Sequence, residues 1–328
     1  MSTNIIALDP GFGSTKVCCN GKTALLQTAV SRPKSVGLAA IGMRAAGRHV
    51  PIVSVDGRDF AIGPGSWARG DPLTSMDYSS IVTPERLALF YGVLAQAIAP
   101  TAPPSKNPIV LAREAVLVIG LPVPLLQDEV QARAVIDSLR HLKGQHTFSI
   151  GAQAYTFDVV RIKVAAQPVG AYVDWLYDDQ LEVRANGKDE VAIIDIGLNT
   201  LDLYVVQGGQ VMESFIGGAE VGVKRLLELL AVDGHDMVEM DAGLRSGTVK
   251  PDAVHLDAWL GEVLAAIKKT FPTLKRFGVV IPAGGGAQVL GERLRTALDA
   301  KGARLAWPED PITTNVRGLW KFGMRHGG

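Results

Sequence analysis

Two segments, one in each half of the chain, combine an acidic residue with a turn suited to binding an anion. In the first, an apolar run ends at Asp9, and Gly11, Gly13 and Lys16 follow within seven residues. In the second, residues 195–202 read Asp-Ile-Gly-Leu-Asn-Thr-Leu-Asp after a similar apolar run. Each segment then resumes an apolar pattern, which predicts two strands joined by a tight turn. The repetition predicts two similarly folded halves whose turns face each other.

The residues of these turns have the chemistry to hold phosphate. Gly11, Gly13 and Asn199 tolerate positive φ, so successive backbone N–H groups can converge on an anion. Hydroxyl groups and one ammonium group add further donors. The predicted ligand-binding residues are Gly11, Phe12, Gly13, Ser14, Thr15 and Lys16 in the first turn, Gly197, Leu198, Asn199, Thr200 and Asp202 in the second, and Gly284, Gly285, Gly286 and Gln288 in a later segment.

The two leading carboxylates require a cation, because a carboxylate repels phosphate oxygens. Mg²⁺ retains several of its waters and bridges one or two carboxylates to substrate phosphates. We therefore expect Asp9 and Asp195 to bind Mg²⁺ through water. An Asp-x-Gly sequence after a strand is by itself an ordinary turn, and it is the pairing of two such turns that favours phosphate binding.

A third glycine-rich segment follows a predicted strand late in the chain. Gly284, Gly285 and Gly286 open a predicted helix that includes Gln288. Glycines at a helix N-terminus permit close approach of a phosphate-containing ligand, although tight packing of strand on helix is the alternative interpretation. Two other nucleotide motifs are excluded, because the chain has neither Gly-x4-Gly-Lys-Ser/Thr nor the third glycine of a dinucleotide-binding turn.

The elements that must position these residues alternate between short strands and longer helices, which predicts an α/β protein. Strands are predicted over residues 5–8, 53–55, 60–62, 115–119, 159–164, 191–194, 203–206, 211–215 and 279–282. Asp56-Gly57 predicts a type I′ hairpin turn. Helices are predicted from Pro84, over 127–142 with a cap at Gly144, from Pro168, and over 219–230, 257–271, 287–301 and 314–324.

Composition narrows the class of function. The 328 residues include 33 basic and 33 acidic side chains, so bulk charge gives no attraction to nucleic acid or to an anionic membrane. We expect neither direct nucleic-acid binding nor a membrane span. The adjacent Cys18 and Cys19 exclude a disulfide framework, and the histidines lack metal-ligand spacing. Since the first residues also lack a leader pattern, we expect a cytoplasmic protein.

Taken in order, the motifs resemble those of the actin, Hsp70 and sugar kinase superfamily. The resemblance is to its prokaryotic actin-like branch, which contains plasmid-segregating and archaeal filament proteins. Residues 9–16 are similar to the first phosphate loop, 195–202 to the second, and 284–286 to the adenosine motif. Gln167-Pro168 and residues 315–323 resemble the two segments that connect the domains.

The resemblance implies an α/β, actin-like two-domain fold, in which duplicated ribonuclease H-like domains enclose a nucleotide cleft. Domain I would comprise residues 1–166, with a small insertion at about 22–82, and would be completed by residues 308–328. Domain II would comprise residues 167–307. The basic segment 32–48 falls in the insertion, where it is either a filament or partner contact or a surface loop.

The resemblance also implies an ATPase that binds ATP, or GTP as the alternative, together with Mg²⁺. The catalytic residues would be Gln167, Asp9 and Asp195. Gln167 would orient the attacking water by hydrogen bonding rather than act as a base, because an amide does not titrate. It implies self-association into filaments for plasmid or DNA segregation or a related cytoskeletal role. A DNA-binding adaptor or cargo protein would be the further partner.

Two other functions stay open at this level. A small-molecule kinase of the same superfamily would need a carboxylate near the acceptor, for which Asp178, Asp179 and Asp202 are available. A nucleotide-switched scaffold that does not polymerise is the non-enzymatic alternative. Leu198-Asn199 stands where many relatives have glycine, and the residues that would contact adenine and ribose do not follow from the motifs.

Overall fold

A computed structural model describes residues 4–34, 49–72, 81–99, 105–230 and 236–326. Most of the predicted basic segment, residues 35–48, and other parts of the predicted insertion lie outside these ranges. The described chain forms one ten-stranded and one five-stranded sheet with helices packed against both. The predicted α/β class is confirmed.

The first ten strands of the chain form the larger sheet. They are β1 (Ile5–Pro10), β2 (Ser14–Cys19), β3 (Lys22–Gln27), β4 (Val30–Pro33), β5 (Ile52–Val55), β6 (Arg58–Ile62), β7 (Gly70–Pro72), β8 (Ile109–Leu121), β9 (Gly144–Ile150) and β10 (Gln153–Ala166). Their order is β3-β2-β1-β8-β10-β9-β5-β6-β4-β7. Because β8 runs parallel to both β1 and β10, the turn after Asp9 and the residue after Ala166 lie at the same edge.

The sheet continues without a break into the strands of the predicted insertion. Val53 of β5 pairs with Ile150 of β9 in antiparallel register, and β5 then pairs with β6. The predicted type I′ turn between β5 and β6 is present, since Asp56 and Gly57 have φ of 50° and 73°. The outer strands β4 and β7 therefore belong to the same hydrogen-bonded layer as β1.

The smaller sheet repeats the arrangement of the first strands. It contains β11 (Glu190–Ile196), β12 (Leu201–Gln207), β13 (Gln210–Val211), β14 (Gly217–Ala219) and β15 (Val279–Ala283). β11 and β12 form an antiparallel hairpin, as β1 and β2 do, and β11 runs parallel to β15. The parallel pair brings the turn after Asp195 and the glycines after Ala283 to one edge.

Ten α-helices occur within the described ranges. They are α1 (Pro84–Ile98), α2 (Val123–Gln127), α3 (Glu129–Leu139), α4 (Gln167–Leu176), α5 (Val223–Leu229), α6 (Met237–Ser246), α7 (Ala253–Thr270), α8 (Gly284–Leu290), α9 (Glu292–Ala300) and α10 (Thr314–His326). Proline lies in the first turn of α1 and of α4, as predicted, where its missing N–H costs nothing. None of these helices combines the length and the apolar character that a membrane span requires.

Several predicted boundaries are wrong for local reasons. The helix predicted over 127–142 begins at Glu129, because the Asp128 carboxylate accepts backbone N–H groups and caps α3, and its α-helical part ends at Leu139. Gly144, with φ of 117°, begins β9 rather than capping a helix. The helix predicted over 287–301 is divided at Gly291. The helix predicted from residue 219 begins at Val223, because residues 217–219 form a strand that pairs with β12. The strand predicted over 211–215 ends at residue 211.

Each sheet has its own apolar core. In the larger sheet, Phe60, Phe157 and Leu94 of α1 are buried in one cluster. In the smaller sheet, Trp259 of α7 and Phe271 are buried in a second. Smaller clusters join α4 to the smaller sheet and α10 to the larger sheet, so these two helices connect the halves.

The connecting helices α4 and α10 cross in close contact. A Cβ on Gly318 of α10 would lie 1.7 Å from the carbonyl oxygen of Gly170 in α4, so only glycine fits there. Beside the crossing, the Nζ of Lys321 lies 2.7 Å from Oδ1 of Asp174, and both residues are buried. Arg317 adds a second ion pair to Asp174 at 3.2 Å. The crossing therefore combines close backbone packing with a buried charge network.

Candidate functional site

A cleft between the two sheets is lined by both predicted turns and by the start of α8. The predicted residues that line it are Asp9, Gly11, Phe12, Gly13, Ser14, Lys16, Gln167, Asp195, Gly197, Leu198, Asn199, Thr200, Asp202, Gly284 and Gly285. Segments more than a hundred residues apart in sequence thus converge on one cavity.

The first turn places a lysine opposite its leading carboxylate. Asp9 of β1 is paired in register with Lys16 of β2, and the Lys16 Nζ lies 2.8 Å from Asp9 Oδ2. The other oxygen of Asp9 accepts a 2.6 Å hydrogen bond from Nε2 of Gln167, the first residue of α4. Asp9 is 2 % exposed, so both oxygens of a buried carboxylate are held by side chains that line the cleft.

The second turn places two acids opposite each other. Asp195 of β11 is paired in register with Asp202 of β12. Asn315 of α10 donates a 2.7 Å hydrogen bond to Asp195, and Thr200 donates one of 3.3 Å to Asp202. The remaining oxygen of Asp202, Oδ1, is buried and has no hydrogen-bond partner within the part of the chain that the structure describes.

Burial and mutual repulsion make these acids hard to ionise. Burial, followed by the charge of Asp9, raises the pKa of Asp195 from 3.8 to about 6. Burial, followed by the charge of Asp195, raises the pKa of Asp202 from 3.8 to about 7. The repulsion between Asp9 and Asp195 acts across the cleft, so the two turns oppose each other closely. A bound cation would relieve this repulsion.

The third glycine-rich segment packs directly on the second turn. A Cβ on Gly284, which has a φ of +84°, would lie 2.5 Å from Asp195 Oδ1 and 2.3 Å from the carbonyl oxygen of Ile196. A Cβ on Gly286 would lie 2.2 Å from the Ile196 side chain. Gly284 therefore admits the N-terminus of α8 to the cleft, whereas Gly286 serves the packing of α8 on β11.

Three of the predicted binding residues do not line the cleft. Thr15 is buried, and its hydroxyl lies 3.1 Å from that of Thr28. Gly286 lies against Ile196, as described above, and Gln288 is exposed on α8. The pattern of glycines and hydroxyls identified the segments, but it did not separate the residues that face the cavity from those that face the core.

Other cleft residues are missed by the sequence patterns: Pro122, Val223, Arg245, Ile312 and Asn315. Asn315 lies in the segment that resembles a connection between the domains, and the sequence patterns predict no binding role for it. Arg245 lies in α6, where no motif is present, and its guanidinium donates to the carbonyl oxygen of Gly13 at 3.2 Å. A contact between residues 232 positions apart in the chain leaves no periodic signal in sequence.

The side chains of the cleft fit a divalent cation that keeps several of its waters better than one whose ligands all come from the protein. In the described ranges, no group of three or more histidine, cysteine or acidic side chains is arranged to hold a metal ion. Asp9 and Asp195 supply carboxylate oxygens from opposite sides of the cleft, and Asp202 Oδ1 has no partner among the described residues. Two such carboxylates, with waters and phosphate oxygens, are the ligands that Mg²⁺ accepts.

Two α/β halves joined by crossing helices, with paired acidic turns facing one cleft, define a protein of the actin-like class. The sequence profile of the N-terminal domain of actin-like proteins matches residues 7–170, and the chain belongs to this family. The predicted resemblance is confirmed.

Solved structures extend the similarity of fold to the full chain. The psk41 ParM protein has a TM-score of 0.71 and 18 % identity, covering 98 % of this chain and 97 % of that one. The archaeal actin homologue Ta0583, solved in complex with ADP, has a TM-score of 0.69 and 20 % identity, covering 98 % and 99 %. A 15-stranded ParM filament from Clostridium botulinum has a TM-score of 0.68 and 16 % identity, covering 99 % of this chain and 100 % of that one. No curated protein sequence matches the chain.

Proposed function

We propose that this actin-like protein is an ATPase that binds ATP and Mg²⁺ in the cleft and forms nucleotide-dependent filaments. The observation that carries the proposal is the convergence of the Asp9 turn, the Asp195 turn and the N-terminus of α8 on one cavity. Backbone N–H groups of glycine-containing turns and of a helix start are suited to phosphate, and the paired acids are suited to its cation.

Residues in the cleft have distinct parts in this proposal. Asp9 and Asp195 would hold Mg²⁺ through water, and the bound cation would supply positive charge to offset that of the phosphates. Lys16 and the backbone N–H groups of both turns bind phosphate oxygens. Gln167 is held by Asp9 at the edge of the cavity, where its amide orients the attacking water. Catalysis would then consist mainly of positioning and charge neutralisation.

We further propose that domain I comprises residues 1–166 and 308–328, with the insertion at about 22–82, and that domain II comprises residues 167–307. In support, all ten strands before Gln167 form one sheet and the five later strands form another. α10 supports the same division, because Val316 and Leu319 pack against Ile5 and Val118 of the larger sheet.

Filament formation is proposed from the class of protein. One of the similar solved structures is a 15-stranded ParM filament. A head-to-tail contact between identical subunits produces an open filament when its rotation does not close. A role in plasmid or DNA segregation, or a related cytoskeletal role in the cytoplasm, would then require an adaptor or cargo protein as a further partner.

The proposal is tested with the purified chain in three measurements. We expect ATP binding that depends on Mg²⁺, release of phosphate without any added acceptor, and sedimentable filaments with ATP but fewer with ADP. GTP in parallel establishes nucleotide preference, and electron microscopy of the pellet identifies filaments. Absence of binding to either triphosphate would refute the proposal.

A small-molecule kinase is the second candidate, and the observation that favours it is the carboxylate oxygen of Asp202 that has no hydrogen-bond partner among the described residues. The other two acids considered for that role do not line the cleft: Asp178 accepts backbone N–H groups of its own turn, and Asp179 pairs with Lys321. Phosphate transfer that requires an added acceptor would support the kinase over the ATPase.

A further inference from the structure

Helix α6, which extends from the smaller-sheet half, makes direct contacts with the larger sheet across the cleft. Nε2 of Gln27 in β3 donates to Asp241 Oδ2 and to the carbonyl oxygen of Val238, both at 2.9 Å. One helical turn further on, Nη2 of Arg245 donates to the carbonyl oxygen of Gly13 at 3.2 Å. The second contact ends inside the cleft, at the turn that follows Asp9.

The guanidinium of Arg245 is held in place by its own helix. Its Nε donates to Asp241 Oδ2 at 2.8 Å, and the Asp241 side chain is only 5 % exposed. An arginine has five N–H donors. Across the described chain, Asp241 and Gly13 are the only hydrogen-bond acceptors of Arg245, so donors remain for a ligand. The fixed orientation lowers the entropy that binding would cost.

The position of Arg245 coincides with the point where the two turns meet. A Cβ on Gly13 would lie 2.9 Å from Cβ of Leu198 in the second turn and 3.1 Å from Nη2 of Arg245. Phosphate bound by both turns therefore lies within reach of this guanidinium. A planar guanidinium binds phosphate oxygens with two parallel hydrogen bonds, which an ammonium cannot do.

The balance of charges that line the cleft indicates why a second basic side chain would matter for phosphate binding. The lining contains the acids Asp9, Asp195 and Asp202 and the bases Lys16 and Arg245. Lys16 is paired with Asp9 at 2.8 Å, and Arg245 is the lining base contributed from across the cleft. A nucleoside triphosphate brings more negative charge than a diphosphate, so it has the greater need of this second cation.

We infer that Arg245 binds the terminal phosphate of a nucleoside triphosphate and thereby couples that phosphate to the contact between the two halves. The inference rests on the proposed function, because it concerns the same cleft. Arg245 would exchange the carbonyl oxygen of Gly13 for phosphate oxygens while Asp241 keeps the side chain oriented. Its role is that of a phosphate-binding residue which distinguishes triphosphate from diphosphate.

The test compares affinities for ADP and for a non-hydrolysable ATP analogue by calorimetry with Mg²⁺. The full-length chain is measured as wild type and with Arg245→Ala, Arg245→Lys and Arg245→Gln. We expect Arg245→Ala to weaken binding of the analogue about tenfold or more and of ADP less than about threefold, the size expected for a charge-assisted contact. Arg245→Lys should recover part of the loss, because it retains the charge. Melting curves identify any variant that is not folded, and Arg245→Gln preserves the bulk of the side chain.

Two further variants separate this role from general support of the fold. Arg293→Ala removes a partly exposed arginine that pairs with Asp257 and does not line the cleft, and it should leave both affinities unchanged. Gln27→Ala removes the neutral contact to α6 outside the cavity, and it should change both affinities by a similar factor. Equal losses for ADP and analogue with Arg245→Ala, or no loss for either, would overturn the inference. Failure of the wild type to bind either nucleotide would instead refute the proposed function, and the inference with it.

Discussion

The carboxylates of the cleft differ in how completely their oxygens are paired. Asp9 has one oxygen held by Lys16 and the other by Gln167. Asp195 accepts from Asn315, whereas Oδ1 of Asp202 has no partner among the described residues. An unpaired carboxylate oxygen in a buried site is costly unless a ligand or a proton satisfies it. The second turn therefore has the greater capacity to respond to ligand and to pH.

Replacing Gln167 by alanine tests its proposed orientation of water. The Gln167→Ala variant should hydrolyse ATP roughly 10²-fold more slowly, because the attacking water loses its positioning group. ATP affinity should change by less than about threefold, since the phosphate-binding turns stay intact. Phosphate release and calorimetry measure the two effects. Gln131→Ala, at an exposed position on α3, is the matched control. A loss of affinity as large as the loss of rate would contradict the assignment.

Replacing Asp202 by asparagine should stabilise the protein, and more so at alkaline pH. The folded-state pKa of Asp202 is about 7, above its ordinary 3.8, so between these values the folded state holds a proton that the unfolded state releases. Stability of the wild type therefore falls as pH rises through this window. The gain from Asp202→Asn should be larger at pH 8 than at pH 5 by on the order of 2 kcal/mol.

The measurement is urea denaturation at both pH values, without nucleotide or Mg²⁺. Asp257→Asn, at an exposed side chain on α7, serves as the control and should show no such difference. An equal gain from Asp202→Asn at pH 5 and pH 8 would show that the folded-state pKa is not raised.

Among the elements, the crossing of α4 and α10 has the tightest steric requirement. A Gly318→Ala change places a methyl group 1.7 Å from the carbonyl oxygen of Gly170. Since neither backbone can yield without separating the helices, we expect the free energy of unfolding to fall by more than about 2 kcal/mol. Gly261→Ala is the matched control, because Gly261 lies in α7 with nothing within 4 Å of its added Cβ. It should be neutral or stabilising by about 0.5–1 kcal/mol. Similar effects of the two changes would contradict this account of the crossing.

Sequence patterns predicted elements well where the signal is local. Proline in the first turn located the starts of α1 and α4, and Asp56-Gly57 located the β5–β6 hairpin. They failed where a single residue divides a continuous pattern, as at Gly291, because apolar periodicity is preserved across the break. Contacts between distant elements, such as that of α6 with the first turn, depend on the folded chain and could not be predicted from spacing.

At the scale of the whole molecule, loss of the terminal phosphate should change the distance between the two halves. Spin labels on Arg133→Cys in α3 and Arg293→Cys in α9 lie at exposed positions, one in each half. The native Cys18 and Cys19 are buried and should not react. We expect a distance several ångströms shorter with a non-hydrolysable ATP analogue than with ADP, because both turns bind the terminal phosphate.

A second label pair, Arg133→Cys with Gln145→Cys, lies within the larger-sheet half and should give the same distance in both nucleotide states. Pulsed electron resonance measures both pairs. Equal cross-cleft distances with the two nucleotides would mean that the halves do not respond to the terminal phosphate.

The unbroken ten-stranded sheet acts as a lever arm. Six strand spacings separate β8, which lies beside the α4–α10 crossing, from the outermost strand β7. At about 4.8 Å each, they amount to roughly 30 Å. Because hydrogen bonds join every neighbouring pair along this path, we expect the layer to move as a unit. A rotation of about 10° at the crossing would move the far rim by about 5 Å, the scale of motions that remake subunit contacts. A rotation that displaces the phosphate turns only slightly would therefore displace the outermost strands several times further.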